Sequence, residues 1–340
     1  MDSTLPGLPK QRTFIAANLK EVEDLMPHYV LQLLIAVSLL PKNQAYVSIY
    51  ESGSHDNTGR WLQLLDDMLD LLDIRHDIVT GGMTRQGEER VAFLSKLRNA
   101  AISPMQQGEN GSLPEWPADR LLYINDVYFC AQDIVRLLQH TNVSAVCAMD
   151  FWKHASRPDA PGHFYDVWVM RDVEGHRVNI NPPYLHHAYS RFRLEQGLPF
   201  PVSCCWNGMI SLDAQPFAEG LRFRAHRQHE CQESEASQMC TDLFHLGRTD
   251  FIVDPGVQVA YEPQIAARAH APELRIKQTT YRDIQEADPV DWAFTPQAFY
   301  KTCCNKSDYI DDADLSKCHP AISAFLGTRK LIFGMNSIMW

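Results

Sequence analysis

Short apolar runs punctuate the first 150 residues: 13–18, 45–51, 76–80, 121–125 and 144–150 each read as a strand. The stretches between them, 27–40, 57–73, 88–103 and 131–139, carry the mixed spacing of helices. Pro27 suits a first helical turn, where its missing N–H is harmless. In the second helix, Trp61, Leu64, Leu65, Met68 and Leu72 fall on one face at spacings of three and four. Strand and helix alternating four times predict an α/β domain with a mostly parallel central sheet and helices on both faces. In such sheets ligands bind beyond the carboxyl ends of the strands, so polar residues at strand C-ends are the candidates for chemistry.

Beyond residue 150 the alternation fades. Residues 164–171, 203–212 and 251–261 predict further strands, and 234–246 a helix. The expected organisation is a main domain over 1–262 and a C-terminal extension, 263–340, packed on it.

Composition narrows the partners. Lys plus Arg is 31 against 42 for Asp plus Glu, a net charge of −11. Nucleic acid is disfavoured, because its phosphate backbone demands clustered cations. The longest apolar run, 30–40, contains Gln32 and Ser38 and falls short of the roughly 20 residues that cross a bilayer, so no membrane span is expected in this chain. The start of the chain lacks a basic-then-apolar signal pattern. The nine cysteines include no C-x-x-C pair, so a disulfide framework is not required and a zinc site is weakly supported. Asn110, Asn142 and Asn305 each open an N-x-S sequon.

Several nucleotide chemistries are absent. No G-x-G-x-x-G follows the first strand, and neither a G-x-x-x-x-G-K-[ST] loop nor a G-x-S-x-G elbow occurs. A nucleotide held through a metal ion at the strand ends is the leading alternative. The strongest local signal is Tyr123-Ile124-Asn125-Asp126-Val127, an apolar strand running into a carboxylate. A divalent cation on Asp126 can bridge to a diphosphate; equally, Asp126 can cap the following helix. The run Glu51-Ser52-Gly53-Ser54-His55-Asp56-Asn57-Thr58 offers groups to grip a base or ribose, or to cap the next helix. Arg98 lies on the helix before the Asp126 strand, where it can meet a phosphate, pair with Asp126, or simply be solvated. Trp206-Asn207-Gly208 is an aromatic–amide turn that can pack on a sugar, or a buried Trp beside a tight bend. Glu230, Glu233 and Glu235 open a helix, where they favour its dipole or face an acceptor. Asp254-Pro255 repeats the strand-then-carboxylate pattern and reads either as a second metal ligand or as the start of a loop.

Taken in order, these segments resemble the fungal cryptococcal mannosyltransferase and capsule-associated protein family, glycosyltransferase family 69. The matching pieces are Glu51-Ser-Gly-Ser with Asp56 and Thr58, Arg98-Asn99, Tyr123-Ile-Asn-Asp-Val127 with Phe129-Cys130, and Ala148-Met-Asp-Phe-Trp152. Phe164-Tyr-Asp-Val-Trp168 with Arg171-Asp172, Cys205-Trp-Asn-Gly208, Glu230-Cys-Gln-Glu-Ser-Glu235, and Asp254-Pro255 with Tyr261 follow. They cover roughly residues 12–262. The resemblance implies a GT-A-like, nucleotide-diphospho-sugar transferase fold, a GDP-mannose donor, Mn2+ or another divalent cation, and α-1,3 transfer with retention to a mannose-containing oligosaccharide acceptor. In that reading Asn125-Asp126-Val127 stands where relatives carry Asp-x-Asp, with a single acid, and Ala236 stands where relatives often carry a cysteine. The family's members are typically Golgi proteins. The rival readings are a nucleotidyltransferase acting on sugar phosphates and a noncatalytic glycan-binding or scaffold protein.

Overall fold

In a computed structural model of the chain the described residues are 10–106, 115–153, 163–228, 230, 232–269 and the isolated positions 279, 284, 289–292, 302–303 and 319–320. The first half follows the predicted alternation to within two residues: β1 (Thr13–Leu19), α1 (Met26–Leu39), β2 (Ala45–Glu51), α2 (Thr58–Leu71), β3 (Arg75–Val79), α3 (Arg90–Ala101), β4 (Arg120–Ile124), α4 (Ala131–Gln139) and β5 (Ala145–Trp152). The second half is more broken. It holds β6 (His163–Phe164), α5 (Ala188–Glu195), β7 (Phe200–Val202), β8 (Met209–Asp213), α6 (Gln215–Ala218), α7 (Glu235–His245), β9 (Phe251–Ala260) and α8 (Pro263–Ala269).

One sheet runs in the order β3-β2-β1-β4-β8-β5-β9-β7, with β6 paired to β5. The pairs among β1 to β4 and the pair β5–β9 are parallel, whereas β8 and β7 are antiparallel to their neighbours. The fold is therefore mixed α/β with a mostly parallel sheet, interrupted where β8 slips between β4 and β5. Side chains along each strand alternate between two cores. Phe14, Ala16, Leu121 and Tyr123 face one core, shared with Met239 and Leu243 of α7. Ile15, Ala17, Leu122 and Ile124 face the other, covered by α1, α2 and α4. Helices lie on both faces, as expected.

Three expectations are corrected, and one feature is added. Helix α2 buries Thr58, Leu62, Leu65 and Leu69, leaving Leu64 and Leu72 exposed; its apolar residues are so numerous that two stripes satisfy helical spacing, and packing selects the second. The strand predicted over 164–171 ends at Phe164, because the Asp166 carboxylate accepts the Val169 N–H and folds the chain into a turn. The strand predicted over 203–212 forms only from Met209 onward, as β8: β7 has already ended at Val202, and the Asn207–Gly208 bend, where both residues have positive φ, 54° and 74°, interrupts the stretch before it. Finally, two disulfides are present, Cys147–Cys205 and Cys204–Cys240. Adjacent cysteines pair with different elements, a relation that spacing does not announce; on α7, Cys240 stands one helical turn beyond Ala236.

Of the C-terminal extension, α8 packs on β9 and β5. Thr279 donates to the Gly197 carbonyl at 2.5 Å, and the Asp291 N–H donates to the Tyr189 hydroxyl at 3.0 Å. Most of the extension lies outside the described residues, as do the sequons at Asn110 and Asn305; Asn142 is exposed. Among the described residues no helix is long and apolar enough to cross a membrane.

Candidate active site

Strand β4 delivers Asn125 and Asp126 to the crevice at its C-end. The Asn125 amide N–H donates to the Gly208 carbonyl at 2.8 Å, and its side-chain oxygen accepts the Trp206 indole N–H at 3.0 Å. The neighbouring Asp126 side chain is exposed and takes no hydrogen bond or ion pair from another described side chain. It does not cap α4, whose first turn is closed by Cys130 and Asp133, the Cys130 N–H donating to the Asp133 carboxylate at 2.7 Å. Desolvation by the surrounding chain raises the Asp126 pKa, opposed in part by its own backbone N–H and by the charge of Arg98.

Arg98 comes from α3 and is held on every side. Its Nε donates to Glu235 at 2.7 Å, and its guanidinium carbon lies 4.1 Å from the Trp206 ring centre, 4.9 Å from Tyr123 and 5.9 Å from Phe223. Burial opposes its charge, but the Glu235 carboxylate raises its pKa, so Arg98 stays a fixed cation. Of the three glutamates, Glu235 alone reaches this place. Glu230 is clamped by Arg224 at 2.6 Å and 3.0 Å, and buried Glu233 pairs with Arg171 at 3.3 Å. The acceptor-facing alternative for Glu230 and Glu233 is thereby replaced by ion pairing.

The other sequence candidates hold the scaffold. Glu51 accepts the N–H of Ser54 and, at 2.6 Å, that of Gly81. Ser52 donates to the Met83 carbonyl at 2.5 Å, Ser54 accepts the Glu21 N–H at 2.8 Å, and Asp56 accepts the N–H groups of Glu23 and Thr58 at 3.0 Å and 2.9 Å. Gly53 sits at φ 66°, where an added Cβ would strike Thr84 at 2.6 Å. This run therefore ties the β1–α1 and β3–α3 loops to the end of β2, since those loops have no strand partners for their amides, and it does not grip a base or ribose through the side chains named. Trp206 and Asn207 are buried: the indole packs between Tyr123 and Phe223, and the Asn207 amide donates to the Ala148 carbonyl at 2.8 Å. Neither presents a face to a sugar. Asp254 lies inside β9 at a register shift, fully buried, with Arg136 on both oxygens at 2.8 Å and His140 at 2.9 Å. With its oxygens spent on those partners it is no metal ligand.

Sequence reasoning gave no role to a second set of residues in the crevice. Asp150 of β5 is fully buried; it accepts the Asp166 N–H at 3.2 Å and the Tyr261 hydroxyl at 3.2 Å. Asp166 in turn accepts the N–H groups of Asn207 at 3.0 Å and Val169 at 3.2 Å. Burial raises both pKa values, and for Asp150 the nearby Asp166 charge adds to it. The signal was available: an aspartate inside an otherwise apolar strand is a buried charge that must be answered. Above this floor stand Tyr165, 4.3 Å from Tyr261, and Trp152, 5.7 Å from Tyr165, with Trp152 and Tyr165 large and exposed. Gly208 closes the floor, since an added Cβ there would meet Val259, Val127 and Asp150 at 3.1 to 3.3 Å.

Known proteins bear on this arrangement. Residues 12–242 match the family described as cryptococcal mannosyltransferase 1. An α-1,3-mannosyltransferase of Cryptococcus neoformans var. neoformans is 31% identical, the match covering 75% of this chain and 59% of that protein, so the chain spans under two thirds of its relative's length. Among solved structures, a mannosyltransferase of Pyrobaculum calidifontis in complex with GDP-Man and Mn2+ overlays with a TM-score of 0.44 and 10% identity, covering 76% of this chain and 59% of the other. TarS residues 1–349 of S. aureus, in complex with UDP, overlays at 0.41 and 13% identity, covering 76% and 63%. The family match runs from β1 into α7 and takes in Asp126, Arg98, Asp150, Asp166 and Glu235. The chain belongs to the cryptococcal mannosyltransferase 1 family.

Proposed function

We propose that this chain moves mannose from GDP-mannose to a hydroxyl of a mannose-containing oligosaccharide, forming an α-1,3 linkage with retention and requiring a divalent cation, Mn2+ before others. The observation that carries the reading is the unpaired Asp126 carboxylate at the C-end of β4, near the fixed Arg98 cation, in a chain of a mannosyltransferase family. A single carboxylate completed by phosphate oxygens and water is the usual donor set for such an ion beside a nucleotide. When bound, such an ion would neutralise charge on the departing diphosphate. Arg98, held by Glu235 and three rings, presents a second positive charge that needs no reorganisation as negative charge develops. Burial and the neighbouring Asp166 charge push the Asp150 carboxyl well above the ordinary range, so this pair sets less than two full negative charges against an anionic donor. Trp152 and Tyr165 supply aromatic faces against which the C–H face of an acceptor sugar packs by dispersion. The two disulfides support a working place in an oxidising compartment such as the Golgi lumen.

The test supplies GDP-mannose, UDP-glucose, or GTP with mannose 1-phosphate to the protein and an α-mannoside acceptor, with Mn2+ or with EDTA. Mannosylated acceptor from GDP-mannose, lost with EDTA and lost in Asp126→Ala at unchanged melting temperature, is the expected result. Product only from GTP and the sugar phosphate, or undiminished turnover by Asp126→Ala, would sink the proposal.

A further inference from the structure

Away from the Asp126 carboxylate, the turn Asp172-Val173-Glu174-Gly175-His176 gathers three ligand-type side chains. One ligand atom from each of Asp172, Glu174 and His176 lies within 4.8 Å of the other two. His176 Nδ1 is 3.7 Å from Asp172 Oδ2 and 3.5 Å from Glu174 Oε2. Gly175, at φ 83°, lets the chain reverse so sharply.

The two oxygens of Asp172 have different fates. Oδ1 builds the turn, accepting the N–H of Glu174 at 2.9 Å and of His176 at 3.0 Å. Oδ2 is buried, in a residue 0% exposed, and has no hydrogen-bond partner. Leaving a buried carboxylate oxygen without a donor costs about 1–3 kcal/mol or more. Among the described residues no Lys or Arg pairs with it; the ionisable groups facing it are the imidazole of His176 and the carboxylate of Glu174. That oxygen points into the space between Glu174 and His176, whose half-exposed side chains leave the outer side open to water. The ring of His186 stands 6.5 Å from that of His176, centre to centre, exposed and within reach of a side-chain rotation.

We propose that this turn is a second cation site, taking a transition-series divalent ion such as Zn2+ or Mn2+ on Asp172 Oδ2, Glu174 and His176, with water or His186 completing the set. Two carboxylates and an imidazole suit such ions, whereas Ca2+ and Mg2+ favour all-oxygen surroundings. The site has a structural use. Asp172 accepts the Ser203 hydroxyl on its carbonyl at 2.6 Å, and Arg171 pairs through its backbone with Cys204. An ion there would stiffen the turn whose Asp172 carbonyl accepts from Ser203, and so the junction with the disulfide-bonded segment at Cys204.

The experiment strips the protein with a chelator and titrates it with Zn2+ or Mn2+ alone, without nucleotide, by calorimetry and thermal melting. It uses wild type, Asp126→Asn, and Asp126→Asn carrying Glu174→Gln or His176→Gln. Glu174 and His176 are half exposed, so their replacement leaves the fold intact, which circular dichroism checks. The expected result is one ion per chain bound by Asp126→Asn, with a raised melting temperature. Either added change weakens that binding by about 10-fold or more and removes the thermal shift. Binding lost already in Asp126→Asn, or unchanged by both added substitutions, overturns the site. Because activity is not the readout, failure here is distinct from failure of the proposed transfer reaction.

Discussion

Asp126 and Asp254 each follow a run of apolar strand residues, and the structure treats them in opposite ways. Asp126 stands past the end of β4 with an open, unpaired carboxylate. Asp254 stands within β9, which bulges against β5 and continues past Pro255, so its side chain turns inward to Arg136 and His140. The pKa shifts run in opposite directions. Burial raises that of Asp126; burial would raise that of Asp254 too, but hydrogen bonds and charges from His140 and Arg136 overcome it and hold the carboxyl well below the ordinary range. A carboxylate placed for stability is one the protein has already neutralised. Asp126, which has no such partners, is the carboxylate on which the proposed chemistry rests.

The largest expected effect tests the inner member. Asp254→Ala leaves the largely buried Arg136 guanidinium without its counter-charge, held only by Thr279, and urea unfolding at pH 7 should show a loss of about 3–5 kcal/mol. A loss below about 1 kcal/mol would erase the distinction. Next in size is the outer member: Asp126→Asn should lower turnover by about 10²–10³-fold, the scale of removing one preorganised charge interaction, while its stability at pH 7 does not fall. The sign follows from linkage. A carboxyl whose pKa rises on folding begins to cost stability as the pH passes its unfolded value and costs it in full above the folded one, so removing its charge cannot destabilise through it.

The same linkage gives a pH signature. Asp254, depressed on folding, contributes stability in full above its unfolded value near about 4 and loses it as the pH falls through the folded value. Acid titration of stability should therefore be steeper in wild type than in Asp254→Asn; parallel curves would contradict the assignment. Smallest is Glu230→Gln, which breaks a partly exposed pair with Arg224 and should shift stability by about 1 kcal/mol or less, with turnover unchanged. A large loss of turnover in that variant would return Glu230 to the crevice.

The framework was legible because β1 to β5 and α1 to α4 are each specified locally, by runs and spacings that survive without tertiary knowledge. The position of Asp126 just past β4 was legible for a related reason: the strand-end rule directs attention to residues that follow each strand. What escaped was partnership. Nothing in Glu51-Ser52-Gly53-Ser54 states that its acceptors are needed by the amides of Glu21, Ser54 and Gly81. Nor does Asp254-Pro255 declare that Arg136, 118 residues earlier, will claim both oxygens. The turn after Phe164 is likewise made by Asp150 and Asp166 meeting across the sheet, against the local β preference of the sequence.

The paired disulfides have a mechanical consequence. Because Cys204 and Cys205 are neighbours, the bonds to Cys240 and Cys147 splice α7 to β5 through a two-residue hub. Glu235 begins one of those elements and Asp150 lies on the other, so the acidic residues on opposite sides of the crevice share a covalent leash. Thermal breathing can open the loops around them, yet it cannot carry those two walls apart without cleaving sulfur. Amide exchange should accordingly stay slow along α7 and β5 until a reductant reaches the interior, and the crevice should then be among the first places to loosen.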